Sequence, residues 1–482
     1  MMKRHILSLA CIFIVAINIS GQPYIRFSGK VHDSKKGIGG VAVTDGYNVT
    51  YTDRKGTYIL ISDTIVEFVY ISLPAGYDIP LSDGIPYFYF PVTDKTSPKQ
   101  TINFELKKSE SDDTKHTMFV CADTQIAFEE ELVLLAAATE DVKTLAESMD
   151  NPVYGVVCGD MVADKSIFYK DIKRMIGATG VPFFFLPGNH DITFGVRSEE
   201  LAKADYKQMF GPNYYSFNRG KVHYIALDDI FYSGNKSVIL SYLHERQLKW
   251  LEHDLSSIMP GSLVVVMLHV PTSYNEELRQ DGIRNVVQNR IHLHELLKPY
   301  TAHIFSGHTH YNENFVIHDN LYEHVHGAVC GLFWQTPYCS DGAPLGYGVY
   351  EVDGEHITWY YKGVGLHKDY QFRAYPAGNN PEKPSAVTVN VWNYDPEWKV
   401  QWLENGIPKG DMTQYNGHDP EVVNYTLQNK DNMRNPTLGS MPTNHLFYAE
   451  PSSPDAEITI EVTDRFSNKT MQTVTKEDVK KE

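Results

Sequence analysis

The pattern of hydrophobic and polar positions divides the chain into three parts. Residues 22–108 contain short apolar segments that alternate with polar positions and are separated by turn sequences, which predicts a small N-terminal β-sandwich. In residues 115–368, strand-like apolar runs alternate with helix-like segments, a pattern typical of an α/β domain. Residues 380–482 return to alternating segments such as 457–462, so we predict a β-rich C-terminal domain.

Local patterns support these divisions. The segment from Leu132 to Met149 repeats apolar residues every three or four positions, which predicts a helix with one buried face. The polar stretch 107–113 and the Pro-, Gly- and Asn-rich stretch 375–381 have the composition of linkers. The middle of the C-terminal part is rich in Gly, Asn and Pro, and its pattern gives no clear prediction.

Residues 1–21 differ from the rest of the chain. Lys3 and Arg4 precede an apolar run from Ile6 to Ile19, and small residues follow it, which predicts a secretory signal peptide. An uncleaved membrane anchor is the alternative, but the run is shorter than a spanning helix requires. We therefore expect an exported protein, periplasmic or secreted, with no transmembrane segment after the signal is removed.

The net charge restricts the class of partner. The chain has 43 Lys and Arg residues against 60 Asp and Glu residues, and its formal net charge is −17. An acidic surface repels nucleic-acid backbones, so no nucleic-acid polymer is expected as a partner. A small anionic substrate is compatible with this charge because a bound metal ion can reverse the local field.

Four cysteines lie beyond the signal, too few for a disulfide scaffold in a chain of this length. Cys121 and Cys158 fall within apolar strands and are expected to be packing residues. Cys330 and Cys339 either pair in an oxidising compartment or remain thiols.

Five short polar motifs carry the candidate chemistry, and each begins where an apolar strand candidate ends. The carboxyl ends of parallel strands meet along one edge of a sheet, so motifs distant in sequence are expected to converge in one crevice. The glycines that precede three of these motifs allow the backbone to turn sharply there. The motifs supply Asp123, Gln125, Asp160, Asn189, His190, His269, His308 and His310.

These side chains are suited to divalent metal ions. Carboxylates, amide oxygens and imidazoles without thiolates favour ions such as Mn, Fe, Zn or Co. One carboxylate can bridge two ions, and such a pair can stabilise both the attacking and the leaving oxygen of a phosphoryl displacement.

In these motifs and their order, residues 115 to 365 resemble the calcineurin-like metallophosphoesterases, also called metallophosphatases. The resemblance implies an α/β (α+β) fold of four layers, in which two mixed sheets pack face to face with helices outside. The N-terminal part resembles the transthyretin-like or carboxypeptidase-regulatory-like domains of exported enzymes.

The resemblance also implies a site with two divalent metal ions. The first ion would be held by Asp123, Gln125, Asp160 and His310. Asp160 would bridge to the second ion, which would also be held by Asn189, His269 and His308. A hydroxide held by the metals would attack phosphorus, while His190 would stabilise charge or protonate the leaving oxygen.

Two positions depart from the commonest family pattern. Gln125 stands where a His is usual, and its neutral amide is a weaker ligand. Asp164 lies one residue farther from Asp160 than its counterpart in Ser/Thr protein phosphatases, and Lys165 stands where they have an Arg, which makes that branch a poorer match. Either Asp164 or Asp191 is therefore expected to orient His190.

A short segment beyond His310 is the candidate substrate-binding loop. It combines turn formers with the aromatic residues Phe333, Trp334 and Tyr338, which we expect either to hold the leaving group or to pack between domains. Arg197, which lies past His190, is a candidate for contact with a phosphate oxygen.

The sequence thus predicts metal-dependent hydrolysis of a small phosphoester, and family analogy favours phosphodiesters. One alternative is a phosphomonoesterase, including one that acts on phosphoproteins. The other is a non-catalytic scaffold whose β-domains contact glycans or a surface, which Gln125 alone favours.

Overall fold

The computed structural model describes residues 24–34, 36–235, 239–279 and 282–474. The predicted signal peptide lies outside these residues. Within the described ranges, no helix combines the length and the apolar character that crossing a bilayer requires.

Short strands build the N-terminal part: β1 (Tyr24–Asp33), β2 (Lys36–Gly37), β3 (Ala42–Thr44), β4 (Val49–Tyr51), β5 (Thr57–Asp63), β6 (Phe68–Ile71), β7 (Leu81–Ser82), β8 (Ile85–Pro86), β9 (Tyr89–Pro91), β10 (Lys99–Thr101) and β11 (Phe104–Leu106). One sheet is centred on β1, which pairs with β2, β5, β10 and β11, and the second has the order β4-β3-β6-β9. Phe27 and Leu60 of the first sheet share a hydrophobic core with Val43 and Val69 of the second. This arrangement confirms a β-rich N-terminal domain.

The central part contains strands β12 (Lys115–Cys121), β13 (Val153–Cys158), β14 (Phe183–Leu186), β15 (Tyr215–Arg219), β16 (Val222–Ala226), β17 (Ile230–Tyr232), β18 (Ile239–Ser241), β19 (Leu263–Met267), β20 (Thr301–Ser306), β21 (Glu313–His318), β22 (Leu321–Val325), β23 (Gly346–Asp353) and β24 (His356–Gly363). Its helices are α1 (Glu131–Glu147), α2 (Tyr169–Gly177), α3 (Glu199–Ala202), α4 (Ala204–Phe210), α5 (Glu245–Leu255) and α6 (Arg290–Leu297), with 3-10 turns at Ser166–Phe168 and Gly282–Asn285.

Apart from β17 and β18, which pair with each other, these strands form two mixed sheets, with orders β14-β13-β12-β23-β24 and β15-β16-β19-β20-β22-β21. Strands β12, β13 and β14 run parallel to one another, as do β16, β19, β20 and β22, while β23 runs antiparallel to β12. Parallel strands buried on both faces are nearly all apolar, which is why β19 reads Leu-Val-Val-Val-Met and is buried throughout.

The sheets pack face to face with helices outside, which confirms the predicted four layers. Val120 and Val156 of one sheet share the inner core with Val265 and Phe305 of the other. The predicted helix is α1, whose buried face carries Leu135. Helices α1 and α2 cover the outer face of the first sheet, and α5 and α6 cover the second.

The C-terminal part contains β25 (Phe372–Tyr375), β26 (Val387–Val391), β27 (Lys399–Glu404), β28 (Ile407–Asp411), β29 (Thr413–Gly417), α7 (Pro420–Asn429), a 3-10 turn at Lys430–Asn432, β30 (Thr443–Ala449), β31 (Ile458–Thr463) and β32 (Lys469–Val474). Its sheets have the orders β25-β26-β30-β29 and β28-β27-β31-β32, and residues of both share one core. The segment that gave no clear prediction contains α7, whose first turn is capped by Asp419 and starts with Pro420.

All four cysteines of the described part are buried free thiols. The alternative in which Cys330 and Cys339 remain thiols is therefore the one that the structure contains.

Candidate metal centre

The predicted site residues lie just beyond the carboxyl ends of neighbouring strands. Strands β12, β13 and β14 adjoin in one sheet, and β19 and β20 adjoin in the other, so both sheets contribute to one site. The side chains that follow these five strands are, in order, Asp123 and Gln125, Asp160, Asn189 and His190, His269, and His308 and His310. The contacts below show that the structure brings them together.

The backbone at the site is bent into the left-handed region at several non-glycine positions. The φ angle is 54° at Asp123, 35° at Gln125, 52° at Asp160, 70° at His308 and 58° at His310. Each costs about 1–3 kcal/mol, and bonds between the loops offset that cost. Gln125 N donates to Asp160 O at 2.9 Å, and His308 N donates to Asp123 Oδ2 at 2.9 Å. The ligand loops therefore hold one another in place.

Two glycines are required for different reasons. Gly159 has a φ of 79°, and a Cβ atom there would lie 2.6 Å from His269 Nδ1. Gly188 does not have a positive φ, but a Cβ atom would lie 2.2 Å from Asp160 Oδ1. The prediction of a sharp turn thus holds for Gly159, whereas Gly188 is needed for the close approach of two loops.

One group of ligand atoms surrounds Asp160. Single ligand atoms of Asp160, His269 and His308 all lie within 4.8 Å of one another. Asn189 Oδ1 lies 3.1 Å from His269 Nε2. The other ring nitrogen of His269 lies 2.8 Å from Cys158 O and can only donate there. When the imidazole is neutral, this donation from Nδ1 leaves the lone pair on His269 Nε2, which faces Asp160 and Asn189.

The second group surrounds Asp123. The carboxylate oxygen Asp123 Oδ1 is buried without a hydrogen-bond partner in the described part of the chain. It lies 3.7 Å from His310 Nε2. His310 Nδ1 donates to Gly331 O at 2.5 Å, so His310 Nε2 also keeps its lone pair. A buried carboxylate oxygen beside an imidazole lone pair has the donor chemistry of a cation site.

Gln125 lies against the same group. Gln125 Nε2 donates to Asp160 Oδ2 at 2.8 Å, and Gln125 Oε1 lies 3.7 Å from Cys330 Sγ. Rotation of the amide by half a turn would exchange the two atoms and direct Oε1 towards Asp160. Since only the oxygen can bind a metal ion, a ligand role for Gln125 requires that second orientation.

Burial sets the protonation of the ligand side chains. Burial raises the pKa of Asp123 to about 8, and the nearby Asp160 carboxylate acts in the same direction. Burial lowers the pKa of His308 to about 3 and that of His310 to about 4. For His269, burial lowers the pKa, but Asp160 outweighs this effect and raises the pKa to about 10. Neutral His308 and His310 are in the form that metal binding requires.

His190 is oriented by Asp164. His190 Nδ1 lies 2.7 Å from Asp164 Oδ1, and His190 N donates to Asp160 Oδ1 at 2.8 Å. Burial lowers the pKa of His190, but the negative charges of Asp160 and Asp164 outweigh this effect and raise the pKa to about 9. The Asp191 carboxylate instead accepts from the backbone N–H of Gly188 at 2.9 Å and from other loop amides. Of the two predicted partners, Asp164 contacts the His190 ring.

The three aromatic candidates have different surroundings. The Phe333 ring stacks on His310 with centroids 4.7 Å apart. Trp334 Nε1 donates to Thr124 O at 2.8 Å and fixes the loop. Tyr338 faces α7, where its hydroxyl lies 3.3 Å from Glu421 Oε1. Phe333 therefore lies beside the ligands, while Tyr338 packs between domains.

Two further residues complete the comparison with the sequence. Arg197 is exposed in the loop before α3, and its contact with phosphate stays a prediction. Asp229, which the sequence analysis missed, is buried and accepts from the backbone N–H of His269 at 3.0 Å and of Val270 at 2.8 Å. It follows the apolar end of β16, so the same strand-end signal marks it.

Family models match all three parts of the chain. A model described as calcineurin-like phosphoesterase matches residues 116–312. Models described as the N terminal and the C terminal of calcineurin-like phosphoesterase match residues 25–109 and 323–469. The C-terminal match includes β23 and β24, which belong to the central sandwich. No curated protein matches the chain.

Several solved structures match parts of the chain at low identity. A dimetal phosphatase from Danio rerio is 15% identical, with 52% of this chain and 96% of that chain covered and a TM-score of 0.38. A purple acid phosphatase from yellow lupin (Lupinus luteus) is 12% identical, with 69% and 68% covered and a TM-score of 0.41. A 5'-nucleotidase from Candida albicans is 13% identical, with 53% of each chain covered and a TM-score of 0.31.

Proposed function

The chain belongs to the calcineurin-like phosphoesterase family, and on that premise we propose that it hydrolyses phosphoesters at a site for two divalent metal ions. The observation that carries the proposal is the position of Asp160 between two groups of ligand atoms. One of its oxygens lies 3.4 Å from His269 Nε2, and the other accepts from Gln125. A carboxylate in that position can be shared by two ions.

The residues present fit a metal pair. Asp123 Oδ1 is a buried oxygen without a hydrogen-bond partner in the described ranges, and the donor set contains no thiolate, which suits Mn, Fe, Zn or Co. The first ion would be held by Asp123, Gln125, Asp160 and His310. The second would be held by Asp160, Asn189, His269 and His308.

Within this proposal the chain's own residues orient the substrate and move a proton. The metal ions, when bound, would supply Lewis-acid stabilisation of the phosphoryl oxygens and activation of the attacking water. Asp164 accepts from His190 Nδ1, which directs the other ring nitrogen away from Asp164. His190 Nε2 then carries the proton that is donated to a phosphoryl oxygen or to the leaving oxygen.

We favour a phosphodiester as the substrate. A diester carries two organic groups, and half-buried Phe333, stacked on His310, offers an apolar surface for one of them. A phosphomonoesterase with the same ligands is the alternative. The export of the protein and contacts of its β-domains with glycans or surfaces remain proposals that stand on the sequence alone.

The test compares two substrates after the purified protein is loaded with Mn²⁺. We expect hydrolysis of both nitrophenyl phosphate and bis-nitrophenyl phosphate, with a higher kcat/KM for the diester, and close to two metal ions per chain. A higher kcat/KM for the monoester would favour the phosphomonoesterase. If the protein retained no metal after loading and hydrolysed neither substrate, the scaffold alternative would be favoured.

A further inference from the structure

The loop at residues 328–345, between β22 and β23, holds both the ring and the backbone carbonyl of His310. The ring is held because His310 Nδ1 donates to Gly331 O. The backbone is held because His310 O accepts from Ser340 N at 2.9 Å and from Ser340 Oγ at 3.0 Å. The position of this imidazole therefore depends on where the 328–345 loop lies.

The C-terminal domain holds the other side of this loop. Met441 N donates to Ser340 O at 2.8 Å, and Asn435 N donates to Gln335 Oε1 at 2.9 Å. Asn390 Nδ2 donates to Asp341 O at 2.7 Å. Asn390 and Asp341 are fully buried, and a buried polar group that loses its partner costs about 1–3 kcal/mol. The loop is thus fixed in place by hydrogen bonds from the C-terminal domain.

Arg434, which follows α7, links two ligand loops at once. Its Nη2 donates to Phe333 O at 3.1 Å, next to the residues that hold His310, and to Glu131 Oε1. Glu131 Oε2 in turn accepts from Ala127 N at 2.7 Å, in the turn that follows Gln125. Arg434 therefore supports the loops of two ligands that both belong to the first ion.

The ligands of the second ion are supported differently. His269 is held by Cys158 O and by Asp229, both within the central domain. His308 N donates to Asp123 in the same domain. In the part of the chain that the structure describes, the C-terminal hydrogen bonds named above reach the loops beside His310 and Gln125. On the side of His269, a hydrogen bond to the C-terminal domain is made by Arg279, well beyond the ligand, whose Nη1 donates to Pro442 O at 2.6 Å.

We propose that the C-terminal domain is part of the metal centre, with Arg434 and Asn390 as positioning residues that tune the affinity of the first ion and leave the second largely unaffected. This inference rests on the proposed function, since it assumes that the two groups of ligands bind metal. Changes to residues that orient metal ligands cost about 10–100-fold in metal affinity, so we expect a loss of about tenfold confined to one of two ions.

The experiment titrates full-length metal-free protein with Co²⁺ and follows both the binding isotherm and the ligand-field absorption. The variants are Arg434→Ala, whose side chain is partly exposed so that the fold should survive, and Asn390→Ala. The matched control is Arg465→Ala. Arg465 also connects the domains, since its guanidinium lies 5.2 Å from the ring centres of both Tyr322 and Trp359, but it does not contact the 328–345 loop in the described contacts. Thermal unfolding checks that each variant is folded.

In the wild type and in Arg465→Ala we expect two ions with unchanged affinities. In Arg434→Ala and Asn390→Ala we expect one ion to bind with unchanged affinity and the other to bind about tenfold more weakly. Unchanged binding of both ions in folded Arg434→Ala, or an equal loss in Arg465→Ala, would overturn the inference. Failure of the wild type to bind two Co²⁺ ions would instead contradict the proposed function itself.

Discussion

Removal of the Asp164 carboxylate tests the role of His190 most sharply. Asp164 Oδ1 lies 2.7 Å from His190 Nδ1, and the two side chains are 32% and 30% exposed. A hydrogen bond to a charged group contributes about 1.5–3 kcal/mol, and exposure of about one third to water reduces this value. We take about 1.4 kcal/mol as the loss, which corresponds to about a tenfold lower rate.

For Asp164→Ala we therefore expect kcat to fall about tenfold, with KM and the content of two metal ions nearly unchanged. The reason is that the His190 ring loses its fixed orientation while no metal ligand is altered. Steady-state kinetics on bis-nitrophenyl phosphate and elemental analysis measure the two quantities.

Two other aspartates serve as controls. Asp191→Asn should lower the melting temperature and weaken metal binding, because Asp191 accepts from the backbone N–H of Gly188 and Met161 in the ligand loops. Asp171→Asn should change nothing, since Asp171 pairs with Arg174 on the surface. The reasoning would be refuted if Asp164→Ala kept its full kcat, or if it lost metal ions as Asp191→Asn is expected to.

Three further predictions follow from the structure. Asp123→Asn should reduce the metal content from two ions to one, because a neutral amide replaces a buried anionic ligand. Elemental analysis that still finds two metal ions per chain would contradict this. Gly188→Ala should weaken metal binding in a protein that still folds, because its Cβ atom would lie 2.2 Å from Asp160 Oδ1, and an unaltered Co²⁺ isotherm would exclude this clash. Burial lowers the pKa of His303 to about 3 and of His326 to about 4, so the folded state keeps them neutral while the unfolded chain takes up protons below pH 6.5. The free energy of unfolding should therefore fall as the pH falls from about 6.5 towards 4. The melting temperature of a His303→Gln/His326→Gln double variant should decrease less over that range than that of the wild type. An identical pH dependence of the two melting temperatures would argue against this prediction.

The catalytic layers could be predicted from the sequence because their signals are local. Strand β19 is apolar at every position and is followed at once by His269, so both the strand and the site residue are visible in one short window. The same reasoning locates Asp123, Asp160 and His308. The same signal also marks Asp229, which follows an apolar strand. Asp229 serves the site indirectly, because it holds the backbone of His269 and Val270.

The remaining features depend on contacts between distant residues. Asp191 follows His190 directly, whereas Asp164 lies 26 residues away along the chain, and only the folded loops bring the more distant carboxylate to the ring. Tyr338 carries the same signal as Phe333, but its position against α7 is set by a helix more than eighty residues later. The support that Arg434 gives to the metal centre has no local signature at all.

The central claim is that two metal ions share Asp160. A crystal structure of the Mn²⁺-loaded protein, with anomalous scattering recorded at the manganese edge, tests it directly. We predict two anomalous peaks about 3.5–4 Å apart, with Asp160 in contact with both and His310 and His269 on opposite sides. A single peak, or two peaks of which only one contacts Asp160, would contradict this account.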